Sequence, residues 1–126
     1  MVSGLTLDAG ALIAAQKNKR AFWVYWKAAL EREALIHVPA PVVAQSWRGN
    51  NALLARLLNA CVIEPLDEPR AKAVGVLLAQ ARTRDIVDAT VVLGAIARDD
   101  AILTSDPDDL AHLGEAAGYD LTLLRV

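Results

Sequence analysis

Cysteine is nearly absent from this chain: Cys61 stands alone, so no internal disulfide can form. Its neighbours Ala60, Val62 and Ile63 read as a strand start with a buried thiol, and the redox setting implied is a reducing cytoplasm. Histidine is scarce too. His37 and His112 each stand apart from any second histidine at metal-site spacing, which removes the usual zinc patterns and leaves both as structural, hydrogen-bonded residues. Aromatic residues make up only 5% against 55% hydrophobic, so the core must come from Ala, Leu and Val, a mixture that suits helices packed on a buried sheet. No apolar run approaches the roughly 20 residues of a membrane span. The longest candidate, 86 to 97, contains Asp88. There is no excess of positive charge: the net charge is −2 and the pI near 5.6, which excludes a whole-domain basic footprint for nucleic acid. An anionic substrate would need local help, from bound cations or a basic rim. The first residues, MVSGLTLDAGALIAAQ, lack a basic lead and carry Asp8, which fits a signal peptide poorly. What remains is a cytoplasmic, non-membrane chain of 126 residues, long enough for one domain, 1–126, with an ordinary core.

Short apolar runs alternate with helical ones along the whole chain. Leu5-Thr6-Leu7, 34 to 38, 61 to 66, 101 to 104 and 121 to 126 read as strands. Between them lie helical segments beginning near Ala11, Ala21, Val42, Asn51, Asp67, Asp85 and Asp106, with Pro41 and Pro69 in first-turn positions and Gly118 as a stop. That alternation predicts an α/β fold with a parallel sheet, helices on both faces and right-handed crossovers. The helix after the basic turn 17 to 20 carries Phe22, Trp23, Tyr25, Trp26 and Leu30 within nine positions. This is more apolar surface than one sheet face covers, so a partner or a second subunit is expected against it.

The chemistry points to residues 85 to 109, an acid-headed helix, a turn, an apolar strand and a second acid-headed helix. Asp88 shares a helical stripe with Val92, Ala95 and Ile96. A carboxylate on a core-facing stripe must be protonated, paired or bound to a cation. Asp106 follows the strand 101 to 104, and Asp8 follows the strand 5 to 7; in open α/β sheets the carboxyl ends of the strands are the ligand-binding edge. Each acid also fits a helix cap: Asp8 at the strand-to-helix turn before Ala11, Asp85 with Asp88 three residues on, and Asp106-Pro107-Asp108-Asp109 as cap, proline and acid. Capping explains helix starts one at a time, not why three acids follow different segments at one edge. Clustered carboxylates without His or Cys favour Mg²⁺ or Mn²⁺. Such a metal acidifies bound water and stabilises charge on a phosphodiester, so metal-assisted phosphodiester hydrolysis is the expected chemistry.

From Leu5 onward the sequence resembles the PIN-domain ribonucleases, specifically the VapC-type toxins of bacterial toxin–antitoxin pairs. The matching pieces are LTLDAGALIA, VPAPVVAQSWRG, DIVDATVVLGAIARDDAILTSD and LTLLRV. The resemblance implies a three-layer α/β/α fold with a short five-stranded parallel sheet. It also implies Mg²⁺ or Mn²⁺ binding, cleavage of RNA, homodimerisation and inhibition by a cognate VapB-type antitoxin. In that family the first, third and fourth acids correspond to Asp8, Asp88 and Asp106, the metal-binding set. The second, a Glu, falls on Gln45 here. An amide oxygen still ligates but brings no charge, which leaves a catalytically weakened module that keeps antitoxin or RNA binding as the alternative reading. Asp85 is an extra acid or a plain cap. Thr104 and Ser105 are placed to orient carboxylates, and Arg48, Arg82 and Arg84 to meet RNA phosphates. Rival acid-plus-Mg²⁺ families fit less well. A haloacid-dehalogenase-type phosphatase wants a second Asp at position 10, which is Gly. A receiver domain wants a Lys at the strand end, where this chain reads Thr104-Ser105-Asp106.

Overall fold

The computed structural model describes residues 3–126. Five of the short apolar runs extend side by side as strands β1 (Leu5–Leu7), β2 (Ile36–Pro39), β3 (Val62–Glu64), β4 (Ala101–Thr104) and β5 (Thr122–Arg125). All neighbouring pairs are parallel, in the order β3-β2-β1-β4-β5. Parallel strands need crossovers. These are supplied by helices α1 (Ala9–Gln16), α2 (Arg20–Glu31), α3 (Ala40–Ser46), α4 (Ala52–Asn59), α5 (Glu68–Ala81), α6 (Ile86–Arg98) and α7 (Pro107–Ala116). α1 lies against β1 and β4 and gathers α2, α3 and α4 around it, while α5, α6 and α7 pack on one another with α6 against β1, β2 and β4. This is the expected three-layer α/β/α arrangement.

The central strands β1 and β4 are buried along their whole length. Leu7, Leu12, Phe22, Ile102 and Leu103 are fully enclosed, each worth about 1.5–3 kcal/mol of burial. The outer strands differ. Val62 and Ile63 of β3 are largely exposed, as befits an edge strand only three residues long.

Several boundaries and burials depart from the sequence reading. β2 starts at Ile36 and takes in Pro39, so Ala34 and Leu35 belong to the loop before it. The third strand is shorter than 61 to 66. Cys61 precedes it, half-buried, and its Sγ–H donates to the Leu57 carbonyl; burial pushes the thiol up to about 11, so it is inert. α3 ends at Ser46, leaving Arg48 in the following loop. The apolar surplus on α2 is also smaller than expected. Phe22 and Trp26 are core residues with stacked rings 5.7 Å apart, and Trp23 and Tyr25 are half-buried; Val24 and Leu30 remain exposed. Phe22 and Trp26 serve the interior, and Val24 and Leu30 leave an exposed apolar part on the same helix.

A buried polar knot lies under α6. Arg98 donates to Glu64, to Asp100 at 2.9 Å and to the Thr6 hydroxyl at 2.9 Å, and Thr6 in turn donates to Asp100 at 2.9 Å. Gly94 makes room for it: a Cβ there would stand 2.7 Å from a Glu64 carboxylate oxygen. His112 is hydrogen-bonded as expected, to the Ala81 carbonyl at 2.7 Å. His37 is not. Its Nδ1 is buried without a partner, 4.0 Å from Asp100, because Asp100 is already engaged by Thr6 and Arg98.

Candidate functional site

The strand order reverses at the centre of the sheet. From β1 the chain moves outward through β2 to β3, and from β4 it moves the other way to β5. Helices leaving the carboxyl ends of two such neighbouring strands diverge, and the crevice between them is where α/β proteins place ligands. Asp8 leaves β1 at that point and Asp106 follows β4. The Asp8 backbone N–H donates to the Leu103 carbonyl at 3.3 Å, which ties the two strand ends together. Gly10 permits the approach: a Cβ there would collide with the Ser105 hydroxyl.

Asp8 is buried and caps α1, accepting the Ala11 N–H at 2.8 Å. Burial raises its pKa despite hydrogen bonds from Thr104, Ala11 and Gly10, and the negative charge of Asp106 adds to the rise. Asp88, one turn into α6, is half-buried and pushed up to about 6. Burial is again the main cause, followed by repulsion from Asp85, Asp8, Asp109 and Asp106. Asp85 caps α6, accepting the Asp88 N–H at 2.9 Å, and contributes charge while doing so. Asp106 behaves differently from a cap. It occupies the residue before α7, yet its carboxylate makes no capping bond, and its own N–H donates to the Thr104 hydroxyl at 3.1 Å.

The structure thus gathers Asp8, Asp85, Asp88 and Asp106 into one negative field, with Thr104 between two of them and Ser105, exposed, beside Gly10. Asp109, which sequence reasoning treated only as a helix-start acid, also belongs to that field; the signal was its position three residues after Asp106, on the same turn of α7. Gln45 stands apart. It is exposed on α3 and lines a cavity of about 310 Å³ with Ala9, Ile13, Gln16, Ser46 and Arg48. α3 touches both α1 and α6, so this cavity adjoins the acids without sharing their charge. Arg82 and Arg84 are exposed in the loop that enters α6, with Arg82 in the left-handed conformation (φ 57°) that ends α5.

The donor set at the crevice is all oxygen, and its like charges add to burial in raising the Asp88 pKa. A hard divalent cation fits that chemistry. Among the described residues no three Asp, Glu, His or Cys side chains stand close enough to ligate one ion directly. Mg²⁺ does not require this, because it keeps several waters and binds through one or two carboxylates. No helix among the described residues is long and apolar enough to cross a membrane.

No protein-family model matches the sequence, and comparison with curated proteins finds no match. Solved structures do resemble it. VapBC2 from Rickettsia felis, bound to a DNA fragment from its promoter, aligns with a TM-score of 0.73 at 16% identity, covering 100% of this chain and 99% of that one. FitAB bound to an IR36 DNA fragment gives 0.69 at 14%, covering 96% and 94%. PAE2754 from Pyrobaculum aerophilum gives 0.63 at 15%, covering 94% and 98%. At these identities the likeness is one of fold, and the fold is the PIN-like α/β/α sandwich.

Proposed function

We propose that the protein is a Mg²⁺- or Mn²⁺-dependent endoribonuclease, the toxin of a toxin–antitoxin pair, which hydrolyses RNA phosphodiester bonds at the carboxyl edge of its sheet. The observation that carries this reading is the raised pKa of Asp88, caused after burial by four other carboxylates converging on the strand-order switch point. A fold does not retain such repulsion without a use for it more often than by accident, and perturbed acids in a cleft mark functional sites. Asp8, Asp88 and Asp106 would hold the cation. When bound, it supplies charge neutralisation and an acidified water.

The chain's own residues do the rest. Thr104 holds the Asp8 carboxylate and the Asp106 backbone in register. Asp88, its pKa raised by burial and by like charge, ionises more readily once a cation offsets that repulsion. The exposed Arg82 and Arg84, in the loop entering α6, and Arg48, in the loop after α3, would supply the local positive charge that a chain of net charge −2 needs to approach RNA. The VapBC2 and FitAB structures are of paired complexes on DNA, which supports a VapB-type antitoxin as this protein's partner. Homodimerisation and a cytoplasmic site of action belong to the same reading.

A second reading has a specific observation in its favour. Gln45 places an uncharged amide where the resembling family has its second acid. A module with weakened catalysis that keeps antitoxin or RNA binding is consistent with that. Incubating purified protein with an RNA pool, with and without Mn²⁺, separates the two: metal-dependent cleavage lost in Asp88→Asn supports the nuclease, and RNA binding without cleavage supports the module.

A further inference from the structure

The cavity next to the acids is built for something other than a metal. Ala9, Ile13 and Gln16 form one stripe of α1, at spacings of four and three residues, and line it together with Gln45, Ser46 and Arg48. No carboxylate lines it. Two of its polar side chains are held in place. Gln16 donates to the Leu12 carbonyl at 3.2 Å and accepts from the Asn51 amide at 3.1 Å. One nitrogen of Arg48 donates to the carbonyls of Ala44 and Trp47, at 3.2 and 2.8 Å, which fixes the guanidinium plane. A third is in want of a partner: the Ser46 hydroxyl is buried with none. A rotation about one side-chain bond would offer it to an occupant of the cavity.

We propose that this cavity seats a nucleobase of the substrate strand, from the nucleotide flanking the phosphodiester presented to Asp8, Asp88 and Asp106; the inference rests on the ribonuclease reading. Three neutral hydrogen-bonding groups and one cation suit a polar, uncharged heterocycle better than an anion. An amide sets a donor beside an acceptor, the arrangement that base edges also carry. Ile13, about half exposed, and Ala9 give an apolar surface for the face of a base. Bases of single-stranded RNA are recognised in this way, by their edges and by stacking, including on arginine planes. The dimensions agree as well. The stripe from Ala9 to Gln16 rises about 10 Å along the helix, and its first residue follows Asp8 directly, so one nucleotide spans from the acids into the cavity.

The test uses the full chain in EDTA and the four ribonucleoside 5′-monophosphates, with ribose 5-phosphate as the probe that lacks a base. Amide signals of Gln16, Gln45 and Ser46 are followed by NMR. At least one nucleotide should shift them at concentrations about tenfold below those ribose 5-phosphate requires, and Ser46→Ala should weaken that binding about fivefold, the loss of one hydrogen bond. Four nucleotides that bind no better than ribose 5-phosphate, or that shift signals only elsewhere, overturn the proposal and assign Arg48 to phosphate alone. Cleavage is read separately. If wild type cuts an RNA pool and Ser46→Ala or Gln16→Ala changes the base preferred beside the cut, the proposal gains. An unchanged preference overturns it. Base-dependent binding at the cavity with no cleavage by wild type would refute the ribonuclease reading and uphold the pocket.

Discussion

The Thr104 hydroxyl accepts the backbone N–H of Asp106 at 3.1 Å. The same hydroxyl hydrogen-bonds the Asp8 carboxylate and lowers its pKa against the effect of burial. One buried side chain at the end of β4 therefore serves acids that follow two different strands. Thr104→Val keeps the shape and removes both bonds. It should leave the Asp106 N–H without its partner, raise the Asp8 pKa further and destabilise the protein by about 1–3 kcal/mol. Urea unfolding gives the stability, and carboxyl NMR titration gives the pKa of Asp8.

Asp88 makes metal binding and stability depend on pH in a defined direction. Its pKa rises from 3.8 unfolded to about 6 folded, so the folded state binds the extra proton between those values. The stability this contributes is present below pH 3.8 and lost as pH rises through 6; Asp8, also raised, acts in the same sense. A cation offsets the repulsion only once the carboxylates are ionised. Millimolar Mg²⁺ should therefore raise the melting temperature clearly at pH 7.5 and little at pH 5. Equal shifts at both values in scanning calorimetry would place the cation elsewhere.

Gly10 is required by the close approach of α1 to the end of β4. Gly10→Ala should cost about 1–3 kcal/mol through overpacking against Ser105. The misplacement falls on Asp8, two residues away, so metal-induced stabilisation should shrink along with the melting temperature. Paired thermal scans with and without Mn²⁺ check both effects.

Arg98 neutralises Glu64 and Asp100 beneath α6, far from the acidic edge in role. Arg98→Met leaves the buried Asp100 carboxylate with only the Thr6 hydroxyl, while Glu64 keeps Arg70, and should destabilise by about 3 kcal/mol. The loss should appear in chemical denaturation while any metal-dependent thermal shift persists.

The alternation of short apolar runs with acid-headed and proline-headed helices made the α/β architecture legible, because parallel strands buried on both faces must be apolar throughout, as β1 and β4 are. Asp8 and Asp106 were legible as candidates through their place after strands, and Asp88 through its place on a core-facing helical stripe. Ranking them was not. Asp8 and Asp85 cap helices while Asp106 does not, a difference set by the Thr104 hydroxyl, which sequence spacing cannot reveal. Asp109 escaped because a first-turn acid on a helix looks the same whether or not other carboxylates face it. The aromatic crowding on α2 divides between two roles that spacing alone cannot separate: Phe22 and Trp26 are core, while Val24 and Leu30 of the same helix stay exposed. His37 lacks a partner because Asp100 is spoken for by residues distant in sequence.

The central claim is metal-dependent RNA hydrolysis by Asp8, Asp88 and Asp106, tempered by an amide at position 45. Cleavage of a mixed RNA pool should be compared for wild type, Asp88→Asn and Gln45→Glu, each with EDTA and with low-millimolar Mg²⁺ or Mn²⁺. Weak metal-dependent cleavage by wild type, none by Asp88→Asn and faster cleavage by Gln45→Glu are expected, since an added carboxylate strengthens the hold on the cation. Asp88→Asn should stay folded and be as stable as wild type or more so, because the substitution removes a repelled, half-buried charge. Equal cleavage by all three proteins, or cleavage that persists in EDTA, would contradict the account.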